Sequence, residues 1–444
     1  MFFEKIGVQV PKILLPKKGT DMQRWAVIAC DQYTSDPDYW QRLERQTAGN
    51  ISTLNLVFPE VYLDDADTEQ RIAAINRAME AYLADGSLEE QPPGFILVDR
   101  KTAAVESRKG LIVALDLEKY DYTKGAQSLI RSTEGTILDR LPPRIKVRQN
   151  APIELPHIMV LIDDPQRTVI EPLFNEKLET AYDFELLENG GHLKGYRVDQ
   201  PELIDQVAAA LEKLADPVTY HEKYQVDGEV MLYAMGDGNH SFATAKAIWT
   251  KLKEEATDPA EVMNHPARFA LVELVNVHDS GLEFEAIHRV LFNVDVDHLK
   301  QQMENFFAGR GTPLSLTACA DLSEAEAIAA KVKAGHAFPV VFAGQFSVCG
   351  VADPEYTLEV ATLQVFLDQY LEDNSAVRVD YIHGSQTVTE LGSASGCVGF
   401  YLPAISKHDL FKTIVLDGAL PRKTFSLGEA DEKRFYLECR RIQE

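Results

Sequence analysis

The chain has 444 residues, enough for more than one hydrophobic core, and its 45% hydrophobic and 25% charged content is that of a folded globular protein. Acidic residues outnumber basic ones by 69 to 44, and the formal charge of −25 repels duplex phosphates and anionic lipid, which argues against sequence-independent nucleic-acid or membrane-surface binding. Cys30, Cys319, Cys349, Cys397 and Cys439 are odd in number, far apart and without a CxxC, so neither a disulfide framework nor a structural zinc site is expected.

The first residues, MFFEKIGVQVPKILLPKK, interrupt their apolar run with Glu4, Lys5 and Pro11 and so lack the h-region of a signal peptide. No apolar stretch reaches the roughly 18 residues of a membrane span, and a cytoplasmic location is the expectation. Further along, TEQRIAAINRAMEAYLA (68–84) puts Ile72, Ile75, Met79 and Leu83 at helical spacing before a DGS stop. Short Val- and Ile-rich runs follow, GFILVDR, KGLIVALDL, HIMVLIDD and TVIEPLF, each of strand length. PELIDQVAAALEKLA (201–215) opens on proline and reads as a helix, HEKYQ (221–225) lacks the second histidine of a zincin, and RFALVELVNV reads as a strand. Past residue 290 come an alanine-rich helix in ADLSEAEAIAAKVKAG, a strand in HAFPVVFA and a helix in ATLQVFLDQYLED. The mixed charges of PRKTFSLGEADEKRFYLECRR predict a salt-bridged surface or subunit contact. The pattern predicts a mixed α/β protein with one region over 1–290 and a second α/β region over 291–444.

The segment EVMLYAMGDGNHSFATAKAIW (229–249) is the most informative. Its continuous apolar run predicts a strand buried on both faces, and Phe242, Ala245, Trp249 and Leu252 share one helical face beyond it. GDGNHS is therefore a tight strand-to-helix turn. A helix start leaves about four N–H groups unpaired and its dipole favours an anion, with glycines allowing close approach. Asp237 adds a carboxylate for a cation or a proton, and His240 and Ser241 add donors. A plainer reading competes with this one, since Asn or Ser as a helix cap and Gly in a turn need no ligand.

GDGNHSFATAK resembles the DGHHR-type motif of the DUF1015 family, and LIRSTEGTILDRLPPR (129–144), VNVHDSGLEFEAIHRVLF (275–292) and GALPRKTFSLGEADEKRFY resemble further family segments. That resemblance implies a ParB/sulfiredoxin-like core related to free-serine kinases. It also implies phosphate binding at Gly236, Gly238, Asn239, His240 and Ser241, with Arg131 nearby, and places Ser241 where the family commonly has arginine. RSTEGT matches the family segment with a glutamate between strand and helix, so Glu134 and Asp237 are the expected base and metal ligand, interchangeable at this stage, with His240 completing the catalytic set. Arg131, Arg140, Arg144, Lys146 and Arg148 form a basic cluster against the acidic trend of the chain. His278, Asp279, His288 and Arg289 are expected to line one side of the same cleft, His288 and Arg289 on an anionic substrate, and IACDQYTSDPDYW to add Asp31 and Tyr33.

These expectations add up to nucleotide-dependent phosphotransfer, with ATP or ADP and magnesium, to a small hydroxylated metabolite. The alternative is a non-catalytic nucleotide-binding or regulatory protein. A partition-type DNA binder conflicts with the charge and lacks a helix-turn-helix. Neither nucleic acid nor membrane is expected as a partner, and a homo-oligomer is left open.

Overall fold

A computed structural model describes residues 1–63, 65–123 and 125–443. The chain divides into two compact units, Met1–Glu283 together with the residues from Leu427 onward, and Phe284–Ser426.

The first unit is built on a mixed sheet. Its strands run in the order Glu179–Glu185, His192–Val198, Phe95–Lys101, Arg108–Asp116, Phe269–Asn276, Met159–Ile162, Tyr233–Asp237, Ile130–Arg131 and Tyr120–Asp121. Strand alternation divides the side chains between two cores, because successive residues point to opposite faces. Leu111, Val113 and Leu115 join one core with Leu97, Val272 and Leu274. Ile112 and Ala114 join the other with Ile96, Val98 and Leu271. Helices Pro201–Leu214 and Asn239–Glu255 cover the first face through Leu203, Val207, Leu211, Phe242 and Trp249. Helices Pro37–Thr47 and Thr68–Ala84 cover the second through Trp40, Leu43, Ile75 and Met79, and Phe435, Tyr436 and Leu437 pack there too. Covered on both faces, the central strands carry apolar runs, and of the strand the sequence predicts over Val230–Met235 the fold forms Tyr233 onward, running to Asp237.

Two local expectations are corrected. TVIEPLF is not a strand but a 3-10 turn over Glu171–Asn175. The Asp164 carboxylate takes the N–H groups of Thr168 and Val169, at 2.5 and 2.9 Å, so those donors cannot serve a ladder, and Pro172 has none to give. The charged terminal segment is also only partly a surface, with Arg422, Lys423, Glu429 and Arg441 exposed. Arg434 and Glu438 are buried, Arg434 bonds Glu438 at 2.5 Å and Glu273 as well, and Arg440 holds Glu154 at 2.7 Å. Opposite charges at such spacing can pair inward as well as outward, and only the tertiary fold chooses.

These buried pairs make stability fall in acid. Burial raises the Glu273 carboxyl, but Arg434 and Arg108 outweigh it, and in the same way Arg440 and Arg148 outweigh burial at Glu154, so both titrate below the ordinary 4.5. A carboxyl lowered in the folded state stabilises fully above the unfolded value and loses that contribution as pH falls through the folded one. Urea midpoints are expected to hold near neutrality and to drop steeply below about pH 4.5. A midpoint unchanged down to about pH 3 would count against the pairs.

The second unit has an antiparallel sheet in the order Leu314–Cys319, Gln345–Val351, His336–Phe342, Cys397–Phe400, Phe284–Phe292, Arg378–His383. Helices Val296–Gly309 and Glu359–Asp373 pack Leu299, Met303, Phe366 and Leu367 against Phe338 and Val340.

Candidate functional site

Strand Tyr233–Asp237 ends and helix Asn239–Glu255 begins across the single residue Gly238, whose φ is +73°. A Cβ there would stand 3.0 Å from the Ile158 Cα, so both conformation and space demand glycine. Gly236 is also constrained, by Leu161 at 3.0 Å, which makes it a packing residue of the strand.

No side chain caps this helix. Phe242 N–H reaches the Gly238 carbonyl at 3.0 Å, but the N–H groups of Asn239, His240 and Ser241 find no acceptor among the described residues. The two side chains of a kind that caps helices are engaged elsewhere. Asn239 Oδ1 accepts from Ser132 Oγ at 2.8 Å and from Tyr120 OH at 3.2 Å, while its Nδ2 donates to the Glu134 carbonyl at 3.2 Å and to Thr136 Oγ1 at 3.3 Å. Ser241 Oγ lies 2.8 Å from His157 Nε2. The plainer reading of the turn, a side-chain cap, is therefore not what the fold adopts.

Around the helix start the polar groups come from remote segments. Asp237 Oδ1 accepts the Gly238 N–H at 2.8 Å and its Oδ2 sits 3.3 Å from Lys433 Nζ. Burial would raise this carboxyl, but Lys433, the Gly238 N–H and His157 hold it below its usual range. His157 Nδ1 lies 2.9 Å from Tyr436 OH, which accepts the Cys30 N–H at 3.2 Å. Arg144 pairs with Glu60 at 2.5 Å and donates to the Arg140 carbonyl at 2.8 Å. Arg140 itself is exposed and makes no ion pair among the described residues. Burial, helped by Arg144 and Arg140 against Asp31, pushes the His240 imidazole down to about 4, so the ring is neutral at pH 7. Its Nε2 accepts the Ile137 N–H at 3.3 Å, which leaves the ring proton on Nδ1.

The other expected site residues are distributed as follows. Glu134 is half-buried and its backbone is tied to the helix start through Asn239. Asp31 lies close enough to act on His240, and accepts from Gln32 Nε2 at 3.0 Å, while Tyr33 stacks on Tyr39. Arg131 turns the other way. Adjacent strand residues face opposite sides, so while Ser132 meets Asn239, the Arg131 guanidinium holds the Ser128 and Glu229 carbonyls at 3.0 and 2.6 Å. Its role there is to fasten two loops. His278 and Asp279 do not join the site. Asp237 is registered on Met159 and Met159 on Glu273; Asn276 is already about 10 Å further along at roughly 3.3 Å per residue, and His278 follows it to bond Asp163 at 2.6 Å. His288 and Arg289 belong to the second unit. His288 Nδ1 accepts the Leu402 N–H at 3.0 Å, and burial with Arg289 pushes it down to about 4. Arg289 is fully buried on Gln364 and the Ile287 and Arg422 carbonyls.

His157, Tyr436, Lys433, Glu60 and Ser132 are the residues that sequence reasoning missed. His157 is a lone histidine before a strand, and Tyr436 and Lys433 sit in a segment whose charges mask them, so no local pattern distinguishes any of the three. The Asp237 carboxylate is a hard oxygen donor of the kind magnesium takes, with Lys433 as its present counter-ion, whereas the carboxylates of Asp237, Glu134 and Asp31 do not all converge on one ion position.

These features define a mixed α/β protein whose first unit has an uncapped helix start beside the Asp237–Lys433 pair. The chain belongs to the DUF1015 family, described as a protein of unknown function, whose model matches residues 14–370 and so stops short of Lys433 and Tyr436. Among solved structures, a free serine kinase in complex with AMP aligns at 12% identity and a TM-score of 0.38, covering 75% of this chain and 91% of that one. A conserved hypothetical protein from Pyrococcus furiosus aligns at 13% identity and 0.35, covering 75% and 95%. SbnI with a C-terminal truncation, from Staphylococcus aureus, aligns at 10% identity and 0.35, covering 71% and 82%. Likeness at this distance assigns no residue of this chain a role. None of the curated proteins compared matches it. No helix among the described residues is long and apolar enough to cross a membrane.

Proposed function

We propose that this chain is a nucleotide-dependent phosphotransferase that moves a phosphoryl group from ATP or ADP to a hydroxyl of a small metabolite. The observation that carries the reading is the helix start at Asn239, where three N–H groups lack partners among the described residues, next to a turn made by Gly238. Such amides, at the positive end of the helix dipole, suit phosphate oxygens. His240 Nδ1–H and the unpaired Arg140 guanidinium supply further donors, the second in place of the arginine that Ser241 replaces. Glu134 takes the proton of the attacking hydroxyl, and Asp237 offers its carboxylate to magnesium. Held by Asp237 and the nucleotide, the metal would supply neutralisation of the phosphate charge.

Calorimetric titration with ATP and ADP in magnesium is expected to show binding that Gly238→Val removes, since a branched side chain at that φ collides with Ile158 and forces the turn that carries the amides to shift. Nucleotide consumption is expected when a pool of amino acids and other small alcohols is added. Failure of the native protein to bind either nucleotide would sink the proposal. Binding without turnover across the pool would favour the non-catalytic regulatory reading.

A further inference from the structure

Ser241 does something a helix-start serine does not need to do. Its hydroxyl belongs to a hydrogen-bonded line, Ser241 to His157 to Tyr436 to Cys30, assembled from four separate segments. A phenol oxygen has one proton and two lone pairs. Tyr436 directs its proton to Cys30 Sγ at 3.0 Å and accepts the Cys30 N–H at 3.2 Å, so its second lone pair takes the His157 Nδ1–H at 2.9 Å. The Nε2 lone pair is then left facing the Ser241 hydroxyl at 2.8 Å. This is the arrangement of an activated nucleophile: hydroxyl, base, and a third group that fixes the tautomer of the base. Cys30 itself is no rival nucleophile, because burial, with Asp31 and Glu60 adding to it, pushes its thiol far above the usual range.

We propose that Ser241 is a covalent carrier of the phosphoryl group, with His157 as its general base and Tyr436 as a positioning residue. The inference rests on the phosphotransferase reading and specifies the route the group takes. In the first step Ser241 Oγ bonds to the terminal phosphorus, the bond from phosphorus to the bridging oxygen of the nucleotide breaks, and the hydroxyl proton passes to His157 Nε2. The shortened nucleotide leaves with the electron pair of that bond. The unpaired N–H groups of Asn239 to Ser241 lie on the same turn and receive the transferring oxygens. In the second step the acceptor hydroxyl attacks phosphoserine, its proton goes to Glu134, and Ser241 Oγ recovers the proton from His157. Glu134 and His157 thus act on different hydroxyls, which explains why one site holds two groups fit to be bases.

The test is mass spectrometry of full-length protein incubated with ATP–magnesium or ADP–magnesium, quenched and digested. One phosphoryl group is expected on Ser241, and more of it on Glu134→Gln protein, which cannot pass the group on. His157→Gln is expected to slow labelling about 100-fold or more. Tyr436→Phe is expected to slow labelling while leaving the nucleotide Kd unchanged, a split that general loss of structure would not produce. Protein that binds nucleotide but carries no label on Ser241, in both the native and Glu134→Gln forms, overturns the covalent step and leaves direct transfer standing. Label that persists in Ser241→Ala overturns it equally. Absence of nucleotide binding removes the reading beneath it instead.

Discussion

Glutamine in place of Glu134 is expected to reduce turnover by about 10²- to 10⁴-fold while nucleotide affinity stays within about twofold, because a general base acts on the proton and not on the bound phosphates. The substitution keeps the shape of the side chain and leaves the Glu134 carbonyl, which accepts from Asn239, untouched. Steady-state nucleotide consumption and calorimetric Kd, measured side by side, check it. Unchanged turnover would take Glu134 out of the mechanism. Equal losses in turnover and affinity would assign it to the metal, with Asp237 then the candidate base.

The second large effect concerns stability. Methionine in place of Arg434 is expected to lower the unfolding free energy of the first unit by about 3–5 kcal/mol, the cost of stranding buried carboxylates. Arg434 reaches Glu438 and Glu273 and donates to the Pro156 carbonyl at 3.0 Å, all inside the protein. Among the described residues Glu438 keeps only Tyr182 OH, at 2.5 Å, if the guanidinium goes. Urea unfolding measures the loss, and adding Glu438→Gln to the same chain should return part of it by removing one stranded charge. A loss below about 1 kcal/mol would show the carboxylates finding water or protons cheaply. The substitution also bears on the site. Arg434 lies between Lys433 on Asp237 and Tyr436 on His157, so the buried cluster is what delivers both residues to the helix start.

Much of the fold could be read locally because its signals are local. Helix Thr68–Ala84 follows from apolar residues at helical spacing, and helix Asn239–Glu255 from Phe242, Ala245 and Trp249 on one face. The strands Phe95–Lys101, Arg108–Asp116 and Phe269–Asn276 carry apolar runs, FILV, LIVAL and FALV, because both faces are covered there. TVIEPLF failed for a reason the same logic can state: a neighbouring Asp164 outcompeted the ladder for its N–H groups.

The sequence by itself determined the turn: glycine where φ is positive and backbone approaches closely, an aspartate before it, and an amphipathic helix after it. What it could not determine was where Asn239 and Ser241 point, since each had a local partner as a cap and a distant one across the fold. Sheet register settled that, bringing His157 from 84 residues away and Tyr436 a further 279 from His157, and carrying His278 away from the site. A hydrogen bond a few residues long leaves its trace in spacing, whereas one that closes over hundreds of residues depends on packing that no short stretch encodes.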